Sequence, residues 1–380
     1  MTFWWILACT LALAYAVLMA LYFRAWRSIP VWETPADYRP HTRLSVLVPA
    51  RNEEARIDAC LQALLAVDYP PELLEVLIID DFSDDQTAAR VLAVEDPRLR
   101  LIRLADEESL PAGNFGKKQA LATGVRHATG ALIATTDADC LPSPDWLRSL
   151  ASFYEAGHWK IMAGPVQFVA EKNAFQRFQS LDMLGMVGAT GGGIFRQSRH
   201  MANGANLAYE KAAFEQIGGF SGIDHLASGD DVLLIQKMAA HFPGQIGFLK
   251  STAALVSTFP MPDWPAFFRQ RLRWATKNST YSEKLIILQL GLVFACSWAI
   301  VGAFLLACFQ PAFWGPFALL LAVKAVCDYL FLREIAGFFH RRELLRGYPL
   351  SQLYHIGYIA VVGLAANLRK QYVWKGRRLR

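Results

Sequence analysis

The stretch LEVLIIDD, residues 74–81, is a near-continuous apolar run that ends in two carboxylates. Leu44–Pro49 (LSVLVP) and residues 131–139 (ALIATTDAD) are similar apolar runs, and polar residues follow each of them. The segments between and after these runs place apolar residues at helical spacing, over residues 54–66, 86–94 and 120–127. Strands that are apolar throughout and alternate with helices are typical of a parallel sheet covered on both faces. The sequence therefore predicts an α/β fold with a mostly parallel sheet.

The polar segments ARNE, DDFSDD and DAD follow the predicted strands, where ligands bind in open parallel sheets. The dinucleotide loop G-x-G-x-x-G and the Walker loop G-x-x-x-x-G-K-[ST] do not occur after the first strand. A diphosphate ligand then needs another partner, and a divalent cation held by carboxylates is the usual one. Asp137 and Asp139 fit this role: one can bind the metal while the other holds a ribose hydroxyl. Taken alone, D-x-D is a weak signal because it arises by chance in many chains.

Apolar residues make up 54% of the 380 residues, charged residues 19%, and the mean hydropathy is +0.23. The excess is concentrated in residues 1–23 and 285–323, which contain no charged side chain. The first block is long enough to span a bilayer, and Arg24 and Arg27 follow it. A cleaved signal peptide carries its positive charge before the apolar run. The order here favours an uncleaved anchor over residues 1–27, with the following domain in the cytosol.

Two membrane spans are expected after Lys284, at residues 285–308 and 313–332. Lys324 and Asp328 are four positions apart and can pair on one helix face, as a structural ion pair rather than a proton relay.

The apolar stretch 348–368 contains Gln352, His355 and Asn367. If it spanned the membrane, the basic tail 369–380 would lie outside, against the positive-inside tendency. We therefore expect 348–368 to be interfacial or re-entrant within the membrane region 285–368. The net charge of +5 is concentrated in that tail, which suggests contact with anionic lipid rather than nucleic acid.

The cysteine pattern indicates neither a zinc site nor a redox site. No two cysteines have C-x-x-C spacing, so buried thiols in a reducing compartment are expected. The six cysteines are Cys9, Cys60, Cys140, Cys296, Cys308 and Cys327.

Seven motifs occur in one order over roughly residues 44–275: VLVPARNEE, IIDDFSDDQT, GKKQAL, TTDADC, GANLAYEKAAFEQIGGF, SGDD and QRLRW. Together they resemble the family-2 glycosyltransferases, which include cellulose, chitin and hyaluronan synthases and ceramide glucosyltransferase. The resemblance implies a GT-A-like, Rossmann-like catalytic domain over residues 40–260. It also implies a nucleotide-sugar donor, usually UDP-linked, a Mg²⁺ or Mn²⁺ cofactor, and inversion at the anomeric carbon.

The resemblance also implies the residues that bind the donor. Asp81 corresponds to the aspartate that accepts the imide N–H of uracil. Lys117 resembles the lysine near the diphosphate, Asp139 the metal ligand, and Asp137 its neighbour on the ribose side. The expected donor-binding set is Pro49, Arg51, Asn52, Glu53, Asp81, Lys117, Asp137 and Asp139.

Asp231, the second acid of SGDD, matches the family's general base, which takes a proton from the acceptor hydroxyl during attack. Asp230 replaces the glutamate more common at the preceding position. Both could instead be acids that favour a helix N-terminus. In QRLRW, Arg273 would neutralise the departing diphosphate, while Gln270 and Trp274 would contact the acceptor. This motif lies in the amphipathic segment 261–284, expected at the membrane surface.

The resulting prediction is a multi-pass membrane enzyme with a cytosolic catalytic domain that transfers a sugar to a lipid. A processive polysaccharide synthase subunit is the first alternative. It is disfavoured because three or four apolar segments are few helices to line a channel for a polymer. A catalytically inactive scaffold of the same fold is the second. A nucleotide-dependent oxidoreductase is disfavoured by the missing glycine loop. The sugar, the linkage and the oligomeric state are left open.

Overall fold

The computed structural model describes residues 1–107, 116–224, 229–275, 281–368, 372–374 and 377–379. Residues 276–280 of the expected interfacial segment and residues 369–371, 375, 376 and 380 of the basic tail lie outside this range.

Up to β4, the secondary structure follows the alternation of strands and helices that the sequence predicts. The strands are β1 (Leu44–Ala50), β2 (Leu74–Asp80), β3 (Leu99–Arg103), β4 (Leu132–Thr135), β5 (Leu141–Pro142), β6 (Ile161–Ala163), β7 (Val166–Phe168), β8 (Leu207–Glu210), β9 (Ile246–Phe248), β10 (Val256–Thr258), β11 (Tyr372–Trp374) and β12 (Arg377–Leu379). The helices are α1 (Thr2–Ser28), α2 (Ile57–Leu65), α3 (Thr87–Leu92), α4 (Lys117–His127), α5 (Trp146–Gly157), α6 (Ala174–Phe195), α7 (Lys211–Gln216), α8 (Val232–His241), α9 (Trp264–Ala275), α10 (Lys284–Ala307), α11 (Trp314–Phe338) and α12 (Tyr348–Leu368).

The chain divides into two compact units. The sheet unit comprises residues 30–167, 200–259 and 373–380, and the helix unit comprises residues 1–29, 168–199 and 260–372.

The sheet unit is built on a seven-stranded sheet of order β3-β2-β1-β4-β8-β6-β9. β3, β2, β1 and β4 are parallel, with Leu44 in register with both Leu74 and Leu132. Nearly every residue of β1, β2 and β4 is buried, because helices cover both faces of the sheet. The predicted α/β fold with a mostly parallel sheet is confirmed, and the carboxyl ends of β1, β2 and β4 lie along one edge.

The sheet differs from the sequence prediction at the end of β4 and in the strands β6, β8 and β9, none of which was expected. The predicted strand over 131–139 ends at Thr135, because Asp137–Cys140 form a turn in which the Cys140 N–H donates to the Asp137 carbonyl. β8 was not expected; it lies antiparallel to β4 and β6 and runs directly into α7. The short LAYE segment carries too few residues for a clear strand period.

Buried Asn206 fixes the loop that precedes β8. Its side-chain amide donates to the carbonyls of Pro165 and Ala254, both at 2.8 Å, and its Oδ1 accepts from Trp146 Nε1 at 2.9 Å. All three of these side-chain hydrogen bonds run to groups within the core, so they hold the end of the loop at Asn206 in one position.

Within the described residues, the helix unit contains four helices long and apolar enough to cross a membrane: residues 2–28, 284–307, 311–338 and 342–366. The first three match the expected anchor and the two expected spans. The fourth includes most of 348–368, for which an interfacial or re-entrant placement is expected. By length and composition this helix also qualifies as a span, so its placement remains a prediction.

A buried polar network joins three of these helices. Lys324 Nζ lies 2.6 Å from Asp328 Oδ2 and donates to the Tyr15 hydroxyl at 3.0 Å. Gln352 Nε2 donates to Asp328 Oδ2 at 3.0 Å, and the Tyr15 hydroxyl donates to Asp328 Oδ1. The predicted pairing of Lys324 with Asp328 is confirmed. Because each polar atom has a partner, the network satisfies the demands of burial in an apolar environment.

Candidate active site

The loops after β1 and β2 are joined by hydrogen bonds. The Asn52 N–H donates to Ser83 Oγ at 3.0 Å, and Asn52 Oδ1 accepts from the Asp84 N–H at 3.1 Å. The Glu53 N–H donates to Thr87 Oγ1 at 2.8 Å. Asn52 has a φ of 50°, a left-handed conformation that asparagine tolerates better than most residues. These contacts make a single rigid wall at the carboxyl ends of two adjacent strands.

Arg51 and Asp81 lie in this wall. Arg51 Nη1 donates to the carbonyls of Asp81 and Phe82, at 2.7 and 2.8 Å. The Asp81 N–H donates to the Ala50 carbonyl at 2.8 Å, and Asp81 is buried. Arg51 therefore shapes the backbone around Asp81. Pro49, the next-to-last residue of β1, lies beside the same loop.

Asp137, Asp139 and Cys140 lie together in the turn after β4. One ligand atom from each lies within 4.8 Å of the other two, close enough for one cation. Burial raises the pKa of the Cys140 thiol, and the neighbouring carboxylates raise it further. The two carboxylates are therefore the natural ligands for a hard divalent ion. Arg56 Nη1 lies 3.3 Å from Asp139 Oδ2.

Lys117, the first residue of α4, connects this turn to the start of α8. Its Nζ lies 2.6 Å from Asp137 Oδ1 and 3.1 Å from Asp230 Oδ2. Burial alone would lower the pKa of Lys117, but Asp137, Asp230 and Asp231 together raise it well above its usual value. The ammonium group therefore stays charged over any physiological pH and holds acids from two loops close together. We call Lys117, Asp137, Asp230 and Asp231 the acidic cluster.

Asp231 is the N-cap of α8. Its Oδ1 accepts from the Val232 N–H at 2.7 Å, and its Oδ2 accepts from the Gly204 N–H at 3.2 Å. Asp231 thus caps the helix N-terminus, which is the alternative to a general-base role that the sequence left open. The Gly204 contact and the proximity to Lys117 bring it into the acidic cluster as well.

Gly204 is the first residue of the motif GANLAYEKAAFEQIGGF, and the sequence predicts no role for it. A Cβ at this position would lie 2.9 Å from Lys117 Nζ and 3.1 Å from Asp230 Oδ2. Its carbonyl also accepts from Thr135 Oγ1 at 2.9 Å, which ties it to the end of β4. Only glycine fits without displacing the charged groups. Neither this contact nor that of Arg56 with Asp139 could be inferred from spacing along the chain.

The remaining predicted residues, Gln270, Arg273 and Trp274, lie on α9 in the helix unit. All three are partly buried, and Gln270 Oε1 is a buried atom without a hydrogen-bond partner. Between them, Arg271 is fully buried, with its guanidinium carbon 4.4 Å from the centre of the Trp274 ring. No role was predicted for Arg271.

Two family models match the chain. The model for glycosyl transferase family 2 matches residues 45–218, and the model for glycosyl transferase family group 2 matches residues 132–340. The second alone covers more than half of the chain, so the protein belongs to this glycosyltransferase family. The resemblance inferred from the ordered motifs is thereby confirmed at the level of the family.

Curated relatives agree with this assignment. Glycosyltransferase AglE of Haloferax volcanii is 30% identical over 193 residues, which are 50% of this chain and 59% of AglE. The beta-monoglucosyldiacylglycerol synthase of Synechocystis sp. is 29% identical over 40% of this chain and 31% of its own length. The undecaprenyl-phosphate 4-deoxy-4-formamido-L-arabinose transferase of Enterobacter sp. is 29% identical over 30% of this chain and 35% of its own length.

The fold is also that of a solved glycosyltransferase. The mannosyltransferase PcManGT from Pyrobaculum calidifontis, solved with GDP-Man and Mn²⁺, superposes with a TM-score of 0.57 at 23% identity. The match covers 94% of this chain and 97% of that one. The GT-A-like α/β fold is therefore established for this protein.

Proposed function

We propose that the protein is a membrane-bound, metal-dependent, inverting glycosyltransferase that moves a sugar from a nucleotide sugar to a lipid acceptor. The observation that carries this proposal is the acidic cluster. Acids from the turn after β4 and from the N-terminus of α8 meet around one lysine at the carboxyl ends of the parallel strands. This is the edge of the sheet at which an α/β fold binds its ligand.

The donor base is assigned to the wall formed by the loops after β1 and β2. Pro49, Arg51, Asn52 and Glu53 shape one side of it, and Asp81 offers a carboxylate to the base. A carboxylate accepts the imide N–H of uracil, so a UDP-sugar is the first donor to test. A GDP-sugar is the second, because guanine also presents N–H donors to a carboxylate.

Asp139 is assigned as the metal ligand, with Asp137 on the ribose side, and the two carboxylates suit Mg²⁺ or Mn²⁺. When bound, such an ion supplies positive charge to the two phosphates of the donor. The grouping of Asp137, Asp139 and Cys140 around one point supports a cation at this position. Lys117 carries a second positive charge on the diphosphate side and keeps Asp137 in place.

Asp231 is assigned as the general base. Two backbone N–H groups hold its carboxylate oxygens, so the carboxylate has one orientation. Each oxygen retains a lone pair that can take the proton of the attacking acceptor hydroxyl. Attack on the face opposite the leaving diphosphate inverts the anomeric carbon. Asp230, through Lys117, is a positioning residue in this account.

The QRLRW segment of α9 is assigned to the acceptor and the leaving group. Arg273 would neutralise the departing diphosphate, and Gln270 and Trp274 would contact the acceptor. A lipid acceptor is supported by the long apolar helices and by relatives whose names include diacylglycerol or undecaprenyl phosphate. The catalytic domain is assigned to the cytosol because Arg24 and Arg27 follow the first span.

Donor hydrolysis by the purified full-length protein tests the proposal. UDP- and GDP-sugars are screened with Mn²⁺ or Mg²⁺, and the lipid extract is then analysed by mass spectrometry. We expect metal-dependent release of one nucleoside diphosphate and a lipid that is heavier by one sugar. Absence of hydrolysis with every donor would contradict the proposal, and a long polymer would favour a polysaccharide synthase instead.

A further inference from the structure

The helix unit holds a second buried charged cluster, made of Asp182 on α6, Arg271 on α9, and His355 and Tyr358 on α12. Arg271 Nη2 lies 2.7 Å from Asp182 Oδ2, with side-chain exposures of 3% and 5%. The Tyr358 hydroxyl donates to Asp182 Oδ1 at 2.9 Å, and His355 Nε2 lies 3.9 Å from the same oxygen. We call these four residues the acceptor cluster.

The acceptor cluster has unused hydrogen-bonding capacity, unlike the network around Lys324. Among the described residues, Arg271 Nε and Nη2, Asp182 Oδ2 and His355 Nδ1 are buried without a hydrogen-bond partner. Arg271 Nη2 and Asp182 Oδ2 are nevertheless ion-paired with each other at 2.7 Å, so Arg271 Nε and His355 Nδ1 are the atoms of the cluster left without any partner. An unpaired buried polar group is costly, so two in one cluster support a polar ligand that completes it.

We propose that the acceptor cluster binds the hydroxyl groups of an uncharged lipid headgroup, and that this lipid is the sugar acceptor. This inference rests on the proposed transfer to a lipid and names the class of that lipid. The unpaired atoms are Arg271 Nε, which donates, and His355 Nδ1, which donates or accepts according to the tautomer of the ring. A hydroxyl group both donates and accepts, so it can satisfy both kinds of atom.

The charge of the cluster argues against a phosphate-bearing acceptor. Asp182 already neutralises Arg271, and a phosphate group would add negative charge next to a buried carboxylate. An uncharged headgroup with hydroxyls, as in a diacylglycerol, avoids this cost.

The surroundings of Arg271 connect this cluster to the residues assigned to the acceptor. Its guanidinium carbon lies 4.4 Å from the centre of the Trp274 ring, 4.9 Å from that of Phe267 and 5.8 Å from that of Tyr358. Its Nη1 donates to the sulfur of Met186 at 3.5 Å. Aromatic rings and a thioether beside unpaired polar atoms form an amphipathic environment, as a lipid with a hydroxyl headgroup requires.

Competition between two lipids tests the inference. The full-length protein is placed in phosphatidylcholine nanodiscs with either diacylglycerol or undecaprenyl phosphate and supplied with the donor that it hydrolyses. We expect sugar transfer to diacylglycerol and little or none to undecaprenyl phosphate. Exclusive transfer to undecaprenyl phosphate would overturn this inference and leave the proposed function intact. Hydrolysis without any lipid product would overturn both.

Asp182→Asn and His355→Phe link the preference to the cluster. We expect each to raise the KM for diacylglycerol about tenfold and to leave the KM for the donor unchanged. Asp182→Asn replaces a buried carboxylate by a neutral amide, and His355→Phe removes a buried ring nitrogen that can hydrogen-bond. Asp182→Asn should also raise transfer to undecaprenyl phosphate, because Arg271 is then uncompensated. Tyr354→Phe is the control, since it keeps the ring contacts of Tyr354 with Phe178 and Trp264. An unchanged KM for diacylglycerol in both folded variants would mean that the cluster only packs helices.

Discussion

Lys117 and Lys324 each bind carboxylate oxygens, but their surroundings differ. The side chain of Lys324 is 1% exposed, and its partners Asp328, Tyr15 and Gln352 satisfy one another. The side chains of Lys117 and Asp137 are 22% and 37% exposed. We call the Lys324 network closed because each of its members hydrogen-bonds to another member, whereas the cluster around Lys117 still presents carboxylate oxygens to solvent. The same ion-pair chemistry thus holds helices together in one unit and, in the other, leaves carboxylates exposed at the proposed donor site.

Asp231→Asn should have the largest effect. Asparagine caps a helix about as well as aspartate but accepts a proton far less readily, so we expect kcat to fall by about 10³-fold or more without loss of folding. Steady-state transfer and circular dichroism measure the two quantities. Asp58→Asn, in an exposed pair with Arg90, is the matched control and should leave both unchanged. Full activity of Asp231→Asn would show that Asp231 only caps α8.

Lys324→Met tests the closed network. Removing the lysine leaves Asp328 buried without its counter-charge, so we expect a loss of about 3 kcal/mol in the free energy of unfolding. Thermal unfolding in detergent measures the change as a lowered midpoint. In the double variant Lys324→Met/Asp328→Leu, most of the loss should be recovered and donor hydrolysis retained. Loss of hydrolysis in a stable double variant would instead indicate a role in proton movement.

Asp139→Asn tests the metal ligand. Replacing a charged oxygen ligand by a neutral amide should weaken Mn²⁺ binding about 100-fold, and donor hydrolysis should recover in part at high Mn²⁺. Mn²⁺ titration followed by electron paramagnetic resonance measures binding independently of turnover, and removal of metal with EDTA should stop hydrolysis in the native protein. If the variant binds Mn²⁺ as tightly as the native protein, Asp139 is not a ligand.

Gly204→Ala is expected to have the smallest effect of the four. The added methyl group must displace Lys117 Nζ or Asp230 Oδ2, which disturbs the position of the acids, and we expect kcat to fall about tenfold. Gly302→Ala is the control, because a Cβ there meets nothing within 4 Å. Equal activity of the two variants would contradict the packing argument for Gly204.

The sequence predicts the strands β1, β2 and β4 because each is a short, wholly apolar run, and the polar residues at their ends indicate the proposed site. It predicts neither β8 nor the contact of Gly204 with Lys117, because both depend on segments that meet only in the folded chain. Lys117 is expected beside the diphosphate; its bridge between Asp137 and Asp230 adds a connection that spacing cannot show. Arg271 lies in the QRLRW motif, in which the sequence assigns roles only to Gln270, Arg273 and Trp274. Its burial against Asp182 is what distinguishes it from a surface arginine.

The central claim is tested most directly by a structure of the full-length protein with Mn²⁺ and a non-reactive analogue of the donor that the protein hydrolyses. We expect one metal ion about 2.1 Å from a carboxylate oxygen of Asp139, with the diphosphate of the donor beside Lys117 and its nucleobase beside Asp81. A nucleotide bound away from the carboxyl ends of β1, β2 and β4, or a metal ion that touches neither Asp137 nor Asp139, would contradict it.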